Sequence, residues 1–373
     1  MSKIKIIHTA DFHLESSTFT TAKTNQVIMK AVRELVNIGL TESVDLLLIA
    51  GDLFDSSTLD SRTLGSLQEA LAEFKSPVFI SPGNHDYFSM DSPYYHSVWP
   101  QNVHIFKGDL EQVILDDLNV AVYGAGFTGS YVRESSLLNF PELDPTKINL
   151  GVIHGDLVSQ TSESPYNPIT KELIAASGLD YLALGHIHKR SSIAKSGKTS
   201  YAYSGNLVGR GFNELGSKGF YLGEIDQHAV KLEYRPINSP QYLIEDLNLT
   251  EAETEKQAIE KIVNTLEARH GKDFENNHYR LVLKGESTPD QAISWLAVRD
   301  RLATRFRSLA IQNKMLDKTN LNLIRKEGNL KGIFVDLMLN ELDDKNDSET
   351  EMVQMALNFG LQAFEGEVNP NEY

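Results

Sequence analysis

The sequence predicts a layered α/β domain followed by a small β-α-β-α module. From the N-terminus, short apolar runs of strand length alternate with stretches whose apolar residues recur at helical spacing, which is the pattern of an α/β layered domain. Pro236 and Pro240 then interrupt regular structure and mark a domain boundary. At 373 residues the chain is long enough for two domains.

The predicted strands of the first domain are apolar runs, most of which end abruptly in Gly, Asp, Asn or His. They are 3–8, 44–50, 77–81, 120–123, 148–154 and 181–184, followed by hairpin-like strands at 200–203, 219–225 and 230–234. Crossover helices are predicted at 25–38 and 61–74. The second module has predicted strands at 242–249 and 279–283 and predicted helices at 252–269 and 291–307.

We therefore expect a first domain at 1–238, a small domain at 241–331 and an acidic tail at 332–373. The tail has a charged patch followed by apolar residues that fit one amphipathic helix: Met352, Val353, Leu357, Leu361 and Phe364. Such a helix either packs on its own domain or docks on a partner protein, and the sequence leaves both open.

The composition excludes several classes of protein. The chain has no cysteine, which rules out disulfides, thiolate zinc sites and a thiol nucleophile, so any metal must be held by His, Asp, Glu or Asn. The longest apolar runs are far shorter than the ~20 residues of a membrane helix. With no secretory signal pattern either, we expect a cytoplasmic protein without membrane contact. The net charge of −16 argues against nonspecific adsorption to nucleic acid.

Side chains able to bind metal follow five of the predicted strands. The clusters are Asp11-Phe-His13, Gly51-Asp52-Leu-Phe-Asp55, Gly83-Asn84-His85-Asp86, His154-Gly155 and Gly185-His186-Ile-His188. Because the carboxyl ends of such strands line one crevice, these side chains should converge. A ligand set of carboxylates, imidazoles and one amide favours Mn²⁺, Fe²⁺ or Zn²⁺, and its size suggests two ions.

Each cluster alone also has a plain structural explanation. Asp-x-His can be a helix cap beside a surface histidine, and Gly-Asp-x-x-Asp can be a turn. By contrast, His186 and His188 are two residues apart, so in an extended segment they face the same side and can reach one metal cluster. Taken together and in this order, the five clusters favour a metal site.

The ordered clusters resemble those of the calcineurin-like metallophosphoesterases over residues 4 to about 235. The longer strings 6–14, 50–55 and 185–188 are similar to the SbcD-type DNA repair nucleases, the partners of SMC-like ATPases. The segment Tyr203-Ser-Gly-Asn206 with Arg210 and Glu214 behind it most resembles the bacterial YhaO-type branch. The resemblance implies a four-layer α/β/β/α sandwich carrying a small cap domain.

The resemblance also implies roles for individual residues. One metal would be held by Asp11, His13, Asp52 and His188, and the other by Asp52, Asn84, His154 and His186. Asp52 would then bridge the two ions. His85 would stabilise the phosphate or give a proton to the leaving oxygen, with Asp86 orienting it. Asp55 stands where some members of the family have a histidine.

The expected function is that of a metal-dependent hydrolase, specifically a manganese-dependent DNA exonuclease or endonuclease in DNA repair. Its expected partners are DNA, an SMC-like ATPase and a second copy of the chain, the last two from the resemblance alone. Two alternatives stay open: a phosphoesterase for nucleotides or other small molecules, and a mainly scaffolding component of an ATPase complex.

Two local features bear on DNA binding. The segments 186–218 and 299–331 are rich in Lys and Arg and could contact phosphates, although a solvated face or a docking surface for an acidic partner explains the second equally well. The aromatic segment 87–99 could stack unpaired bases, but packing over the sheet edge is the favoured interpretation.

Overall fold

The structure, a computed structural model, describes residues 3–15, 22–55, 59–287, 293–343 and 347–365. The chain forms two compact units, Met1–Leu243 and Ile244–Tyr373. In the described residues no helix is both long and apolar enough to span a bilayer.

The first unit contains two sheets and the helices that cover them. Its strands are β1 Ile4–Thr9, β2 Leu46–Ile49, β3 Val78–Ile80, β4 Val103–Ile105, β5 Glu111–Leu115, β6 Val120–Ala125, β7 Ile148–His154, β8 Tyr181–Gly185, β9 Ala194–Ser196, β10 Thr199–Tyr203, β11 Gly219–Ile225 and β12 Val230–Pro236. Its helices are α1 Ala22–Thr41, α2 Ser61–Phe74, α3 Pro93–His96 and α4 Lys171–Ser177.

Both sheets are mixed. The first has the strand order β12-β11-β1-β2-β3-β4, in which β1 to β4 are parallel to one another while β11 is antiparallel to both β1 and β12. The second has the order β5-β6-β7-β8-β10-β9, parallel from β6 to β10, with antiparallel strands at its two edges. The parallel strands bring the ends of β1, β2 and β3, and of β7 and β8, to matching edges of their sheets.

The core of the first unit lies in three apolar clusters that separate four layers. Between the sheets, Ile6 and Leu48 of the first sheet pack with Val122, Val152 and other apolar residues of the second. A second cluster packs α1 and α2 on the outer face of the first sheet. A third packs α4 on the outer face of the second sheet. The predicted α/β/β/α sandwich is therefore confirmed.

The second unit is a small α/β module continued by helices. Its elements are β13 Tyr242–Asn248, α5 Glu255–His270, β14 His278–Lys284, β15 Glu286–Ser287, α6 Trp295–Ala303, β16 Ser308–Asn313, β17 Leu316–Asp317, α7 Lys318–Ile324, α8 Leu330–Asp343 and α9 Asp347–Glu365. A three-stranded sheet has the order β13-β14-β16, so the β-α-β-α pattern of the sequence gains one more strand. The Thr254 side chain caps α5 in a reciprocal capping box with Gln257.

The last helices of this unit pack on one another. Leu321 and Ile324 of α7 join Val335 of α8 and Leu357 of α9 in one buried cluster. The boundary expected between residues 331 and 332 falls inside α8. On the outer side of α8, by contrast, Leu330, Ile333 and Leu337 are each more than half exposed.

Candidate metal centre

The candidate site joins loops from both sheets of the first unit. Asp11 and His13 follow β1, Asp52 and Asp55 follow β2, and Asn84 and His85 follow β3, whereas His154 ends β7 and His186 and His188 follow β8. The first two loops are bound to each other, because the Asp11 N–H donates to the Gly51 carbonyl at 3.0 Å and the His13 N–H to the Asp52 carbonyl at 2.9 Å.

Four of these residues have a left-handed backbone. The φ angles are 56° for Asp11, 49° for His13, 50° for Asp52 and 102° for His186. Residues other than glycine seldom adopt positive φ, and each such position costs on the order of 1–3 kcal/mol. Backbone strain of this kind is concentrated at functional sites, so these φ angles indicate a functional site in these loops.

The first ligand cluster brings together Asp11, His13 and His188, whose candidate ligand atoms all lie within 4.8 Å of one another. The Nε2 atoms of His13 and His188 are only 2.9 Å apart. The Nδ1 atom of His13 hydrogen-bonds to Asp55, and that of His188 to Glu214 Oε1 at 2.8 Å. With the protons held at Nδ1, the two Nε2 lone pairs face each other, and a proton or a cation between them is needed to remove the repulsion.

The second cluster forms around the Asn84 side chain. Asn84 Oδ1 lies 3.1 Å from His154 Nε2 and 3.1 Å from His186 Nδ1. The opposite nitrogen of His154 donates to the Ala50 carbonyl at 2.8 Å, which turns Nε2 toward the cluster. Three groups that can each offer a lone pair thus converge on one point, as the ligands of a metal ion do.

Asp52 lies between the two clusters. Its Oδ2 atom is 3.4 Å from His154 Nε2 and 3.8 Å from His13 Nε2, while Oδ1 accepts the His85 backbone N–H at 3.0 Å. Gly83 closes the space behind it, since a Cβ atom there would lie 2.1 Å from Asp52 Oδ1. A carboxylate held in this place can reach an ion on either side.

The electrostatics of the site call for positive charge. Burial opposes protonation of His154, but the nearby Asp52 carboxylate outweighs it and raises the pKa of His154 to about 9. For Asp52 itself, burial is again outweighed, and His154 holds the pKa of this carboxyl well below its usual range. Burial raises the pKa of Asp11, and burial together with His154 lowers that of His186 to about 4. Without a cation, a proton on His154 supplies the compensating charge, so the donor set fits divalent metal ions.

His85 lies beside the first cluster, with its ring edge-on to that of His13 at 5.1 Å between centroids. Its side chain is 47% exposed, and its Nδ1 atom lies 3.1 Å from Asp55 Oδ1. The hydrogen bond to Asp55 raises the pKa of His85. A half-exposed imidazole with a raised pKa, held through Nδ1 so that Nε2 can reach a ligand, is suited to giving a proton to a bound phosphoester.

Asp86 lies behind the site in a different role from the one its sequence position suggests. It is buried, and its carboxylate accepts hydrogen bonds from the Gly83 N–H, the Leu53 N–H and the Tyr94 hydroxyl, each at 2.6 Å. Burial and the neighbouring Asp52 raise the pKa of Asp86 to about 6. The carboxylate that contacts the His85 ring is that of Asp55, and Asp86 instead fixes the loops that carry Asp52 and Asn84.

Two further residues reach the site from the loop between β10 and β11. Glu214 is 5% exposed and contacts His188, and Arg210 lies between Glu214 and Asp55. Sequence reasoning placed Arg210 in the basic segment 186–218 but gave neither residue a role at the metal centre. Their spacing gives no signal, because residues at i and i+4 face each other on a helix, whereas Arg210 and Glu214 lie in the loop between β10 and β11.

Much of the charge of the two basic segments is paired within its own unit. Arg210 is buried against Glu214, and Lys198 pairs with Asp180. In the second unit Arg301, Arg305 and Arg325 pair with Glu255, Glu275 and Asp336. The aromatic segment 87–99 mainly packs, because Tyr94 is buried and stacks on Trp99 at 5.6 Å between ring centroids, although Tyr95 is half exposed.

Comparison with known proteins gives a consistent set of relatives. A model of the calcineurin-like phosphoesterase family matches residues 4–190. The uncharacterized metallophosphoesterase YhaO of Bacillus subtilis is 25% identical over 370 residues, covering 92% of this chain and 89% of the relative. The SbcD component of the nuclease SbcCD of Staphylococcus epidermidis is 24% identical, covering 61% of this chain and 67% of the relative. The DNA double-strand break repair protein Mre11 of Aeropyrum pernix is 26% identical, with 65% and 63% covered.

Proposed function

The chain belongs to the calcineurin-like phosphoesterase family, and from this premise we propose that it is a two-metal phosphodiesterase that cleaves DNA. The observation that supports the metal chemistry best is the convergence of seven candidate ligands, Asp52 among them, with the opposite nitrogens of His13, His154 and His188 already hydrogen-bonded. The site would hold one ion at Asp11, His13, Asp52 and His188, and a second at Asp52, Asn84, His154 and His186.

The bound ions would polarise the phosphoryl group and lower the pKa of a water molecule. The protein itself would supply the proton for the leaving oxygen. His85 in its protonated form donates from Nε2, and the electrons of the broken P–O bond stay on the oxygen that takes this proton. Asp55 holds the opposite nitrogen and stabilises the imidazolium before transfer.

The metal we propose is Mn²⁺, with Fe²⁺ and Zn²⁺ as the alternatives. Histidine, carboxylate and amide donors without sulfur suit all three ions. The donor set alone does not show which of the three ions the site prefers. Cleavage measured with each metal in turn is the experiment that ranks them.

DNA is the proposed substrate because one relative is named as a component of a nuclease and another as a DNA double-strand break repair protein. The similarity to a component of a nuclease complex also supports a partner protein, which we propose to be an SMC-like ATPase. The half-exposed residues Leu330, Ile333 and Leu337 of α8 give such a partner an apolar contact. A homodimer is proposed from the resemblance alone.

A phosphoesterase for nucleotides or other small diesters is the second candidate. Locally paired Arg and Lys side chains support it, because paired cations release fewer counterions from a bound DNA and so contribute less to affinity. A third possibility, a scaffolding protein with little catalysis, is weakened by the complete donor set.

One experiment separates these possibilities. The purified chain, alone and with its ATPase partner, is loaded with Mn²⁺, Fe²⁺, Zn²⁺ or Mg²⁺ and given single-stranded, blunt duplex and hairpin DNA beside a small chromogenic phosphodiester. We expect Mn²⁺-dependent cleavage of DNA that is lost in His85→Ala while metal content is kept. His228→Ala, at an exposed turn, is the matched control. Cleavage of the small diester without DNA cleavage would overturn the substrate, and no cleavage of either by a metal-loaded protein would favour the scaffold.

A further inference from the structure

We propose that Glu214 and Arg210 are positioning residues that set the metal affinity of one of the two sites, the one containing His13 and His188. This inference rests on the proposed two-metal centre and assigns a task to a buried ion pair outside the ligand set. The contacts that carry it form a chain from Glu214 through Arg210 to Asp55.

Glu214 is a buried carboxylate whose two oxygens are both bound. Oε1 accepts from His188 Nδ1 at 2.8 Å and from Arg210 Nη2 at 2.9 Å. Oε2 accepts from the Asn206 amide at 2.7 Å and from the Arg210 backbone N–H at 2.8 Å. With these partners fixed, the carboxylate cannot rotate away. Arg210 Nη2 also lies 3.0 Å from His188 Nδ1, but the shorter contact is with Glu214, and a carboxylate can only accept. Glu214 therefore holds the proton of His188 on Nδ1, so that the Nε2 lone pair faces the cluster.

Arg210 connects Glu214 to Asp55, the carboxylate that binds the other histidine of this site, His13. Its Nη1 atom lies 3.5 Å from Asp55 Oδ2, and the opposite oxygen of Asp55 binds the Nδ1 atom of His13. The guanidinium therefore connects two carboxylates: Glu214, which orients His188, and Asp55, which orients His13 and also contacts His85. The Nε2 atoms of those histidines, 2.9 Å apart, are the ones that would share an ion.

The other cluster is held by different groups. His154 is fixed by the Ala50 carbonyl, and His186 Nδ1 meets Asn84 Oδ1. The first of these contacts comes from the backbone that follows β2, and the second is between two ligands. Glu214 and Arg210 instead contact the site at His188 and Asp55. Loss of the ion pair should therefore act on one site and spare the other.

The expected size of the effect follows from what a hydrogen-bonded carboxylate does for a metal-binding histidine. It fixes the ring, selects the tautomer and makes the ligating nitrogen more basic, and removing such a partner typically lowers metal affinity about 10–100-fold. A neutral glutamine at the same place can still accept from Nδ1 but gives less basicity, so its effect should be smaller and confined to the same site.

The test is calorimetric titration of the metal-free full-length chain with Mn²⁺ alone, with bound metal counted by elemental analysis after dialysis. We expect two sites in the wild type. In Glu214→Ala one site should weaken about 10–100-fold while the other keeps its affinity, and Glu214→Gln should restore part of the loss. Arg210→Ala should weaken the same site. Glu233→Gln, a largely exposed carboxylate on β12, is the matched control.

The outcomes are distinguishable. A wild type that binds no Mn²⁺, Fe²⁺ or Zn²⁺ would overturn the two-metal centre itself. A wild type that binds two ions, beside Glu214 variants with both sites unchanged or both weakened equally, would overturn the positioning role and leave the proposed function standing. If Glu214→Ala does not fold, as judged by circular dichroism, the isosteric Glu214→Gln decides by the same site-by-site comparison.

Discussion

His8 should make the stability of the metal-free protein depend on pH in a way that one substitution removes. The ring lies fully buried on β1, three residues before Asp11. Its Nδ1 atom accepts from the Tyr181 hydroxyl at 2.8 Å, and its Nε2–H donates to the Leu184 carbonyl at 3.1 Å. The neutral ring satisfies both partners, with one nitrogen accepting and the other donating. Burial lowers the pKa of His8 from 6.5 to about 3.

The sign and size follow from proton linkage. Below pH 6.5 the unfolded chain binds a proton at His8, whereas the folded chain binds it only near pH 3. The contribution of the neutral His8 to the free energy of unfolding is therefore complete above pH 6.5 and declines as the pH falls. At pH 5, which lies about 1.5 units below the unfolded pKa, the loss is about 2 kcal/mol relative to pH 8.

The assay is denaturant unfolding at pH 8 and pH 5 in the presence of a chelator, since metal binding carries its own pH dependence. The substitution is His8→Gln, whose amide can accept from Tyr181 and donate to Leu184 without titrating. The wild type should lose about 2 kcal/mol more between the two pH values than the variant does. His228→Gln is the matched control for replacing an exposed histidine. Equal losses in wild type and His8→Gln would refute the assignment of a buried neutral ring.

Two further predictions concern the site itself. Gly83→Ala places a Cβ atom 2.1 Å from Asp52 Oδ1, so the folded variant should bind fewer than two metal ions by elemental analysis, whereas Gly65→Ala, in open space on α2, should bind as the wild type does. Asp55→Asn removes the charge beside His85 and His13. Because Asp55 also holds the metal-site histidine His13, the variant is assayed at saturating Mn²⁺ and its bound metal is counted. With metal bound, kcat for the proposed cleavage should fall by about 10²–10⁴ with KM nearly unchanged, and an unchanged kcat would count against a proton-donating His85.

The strands that carry the site could be predicted from sequence because they are buried on both faces. β2 and β8 are unbroken apolar runs, β1 and β7 are mainly apolar, and a polar side chain lies at or just after the end of each, so both the strand and its functional end are visible. Parallel neighbours then bring those ends together. The pairing of Asp11 with Asp52, and of His154 with His186, follows from these two facts. The meeting of the two pairs depends on how the two sheets pack face to face, which strand patterns do not show.

Elements that depend on tertiary packing gave no such signal. β16 alternates between exposed and half-buried residues, and its apolar content is too low to stand out after α6. The short strand β4 and the seven-residue helix α4 have too few positions to show a period. Glu214 is another case, since its role depends on a loop folding back beside His188, and local sequence does not encode that approach.

The division of the ligands between two sheets has a consequence for the whole first unit. Asp11, His13, Asp52 and Asn84 follow strands of one sheet, whereas His154, His186 and His188 belong to strands of the other. The sheets meet through apolar side chains, whose attraction has no fixed direction. Ions bound by residues of both sheets would add directional bonds between them. The amount of bound metal would then report how well the two sheets are aligned. A displacement of a fraction of an ångström between the sheets would release the metal while the apolar core still excluded water.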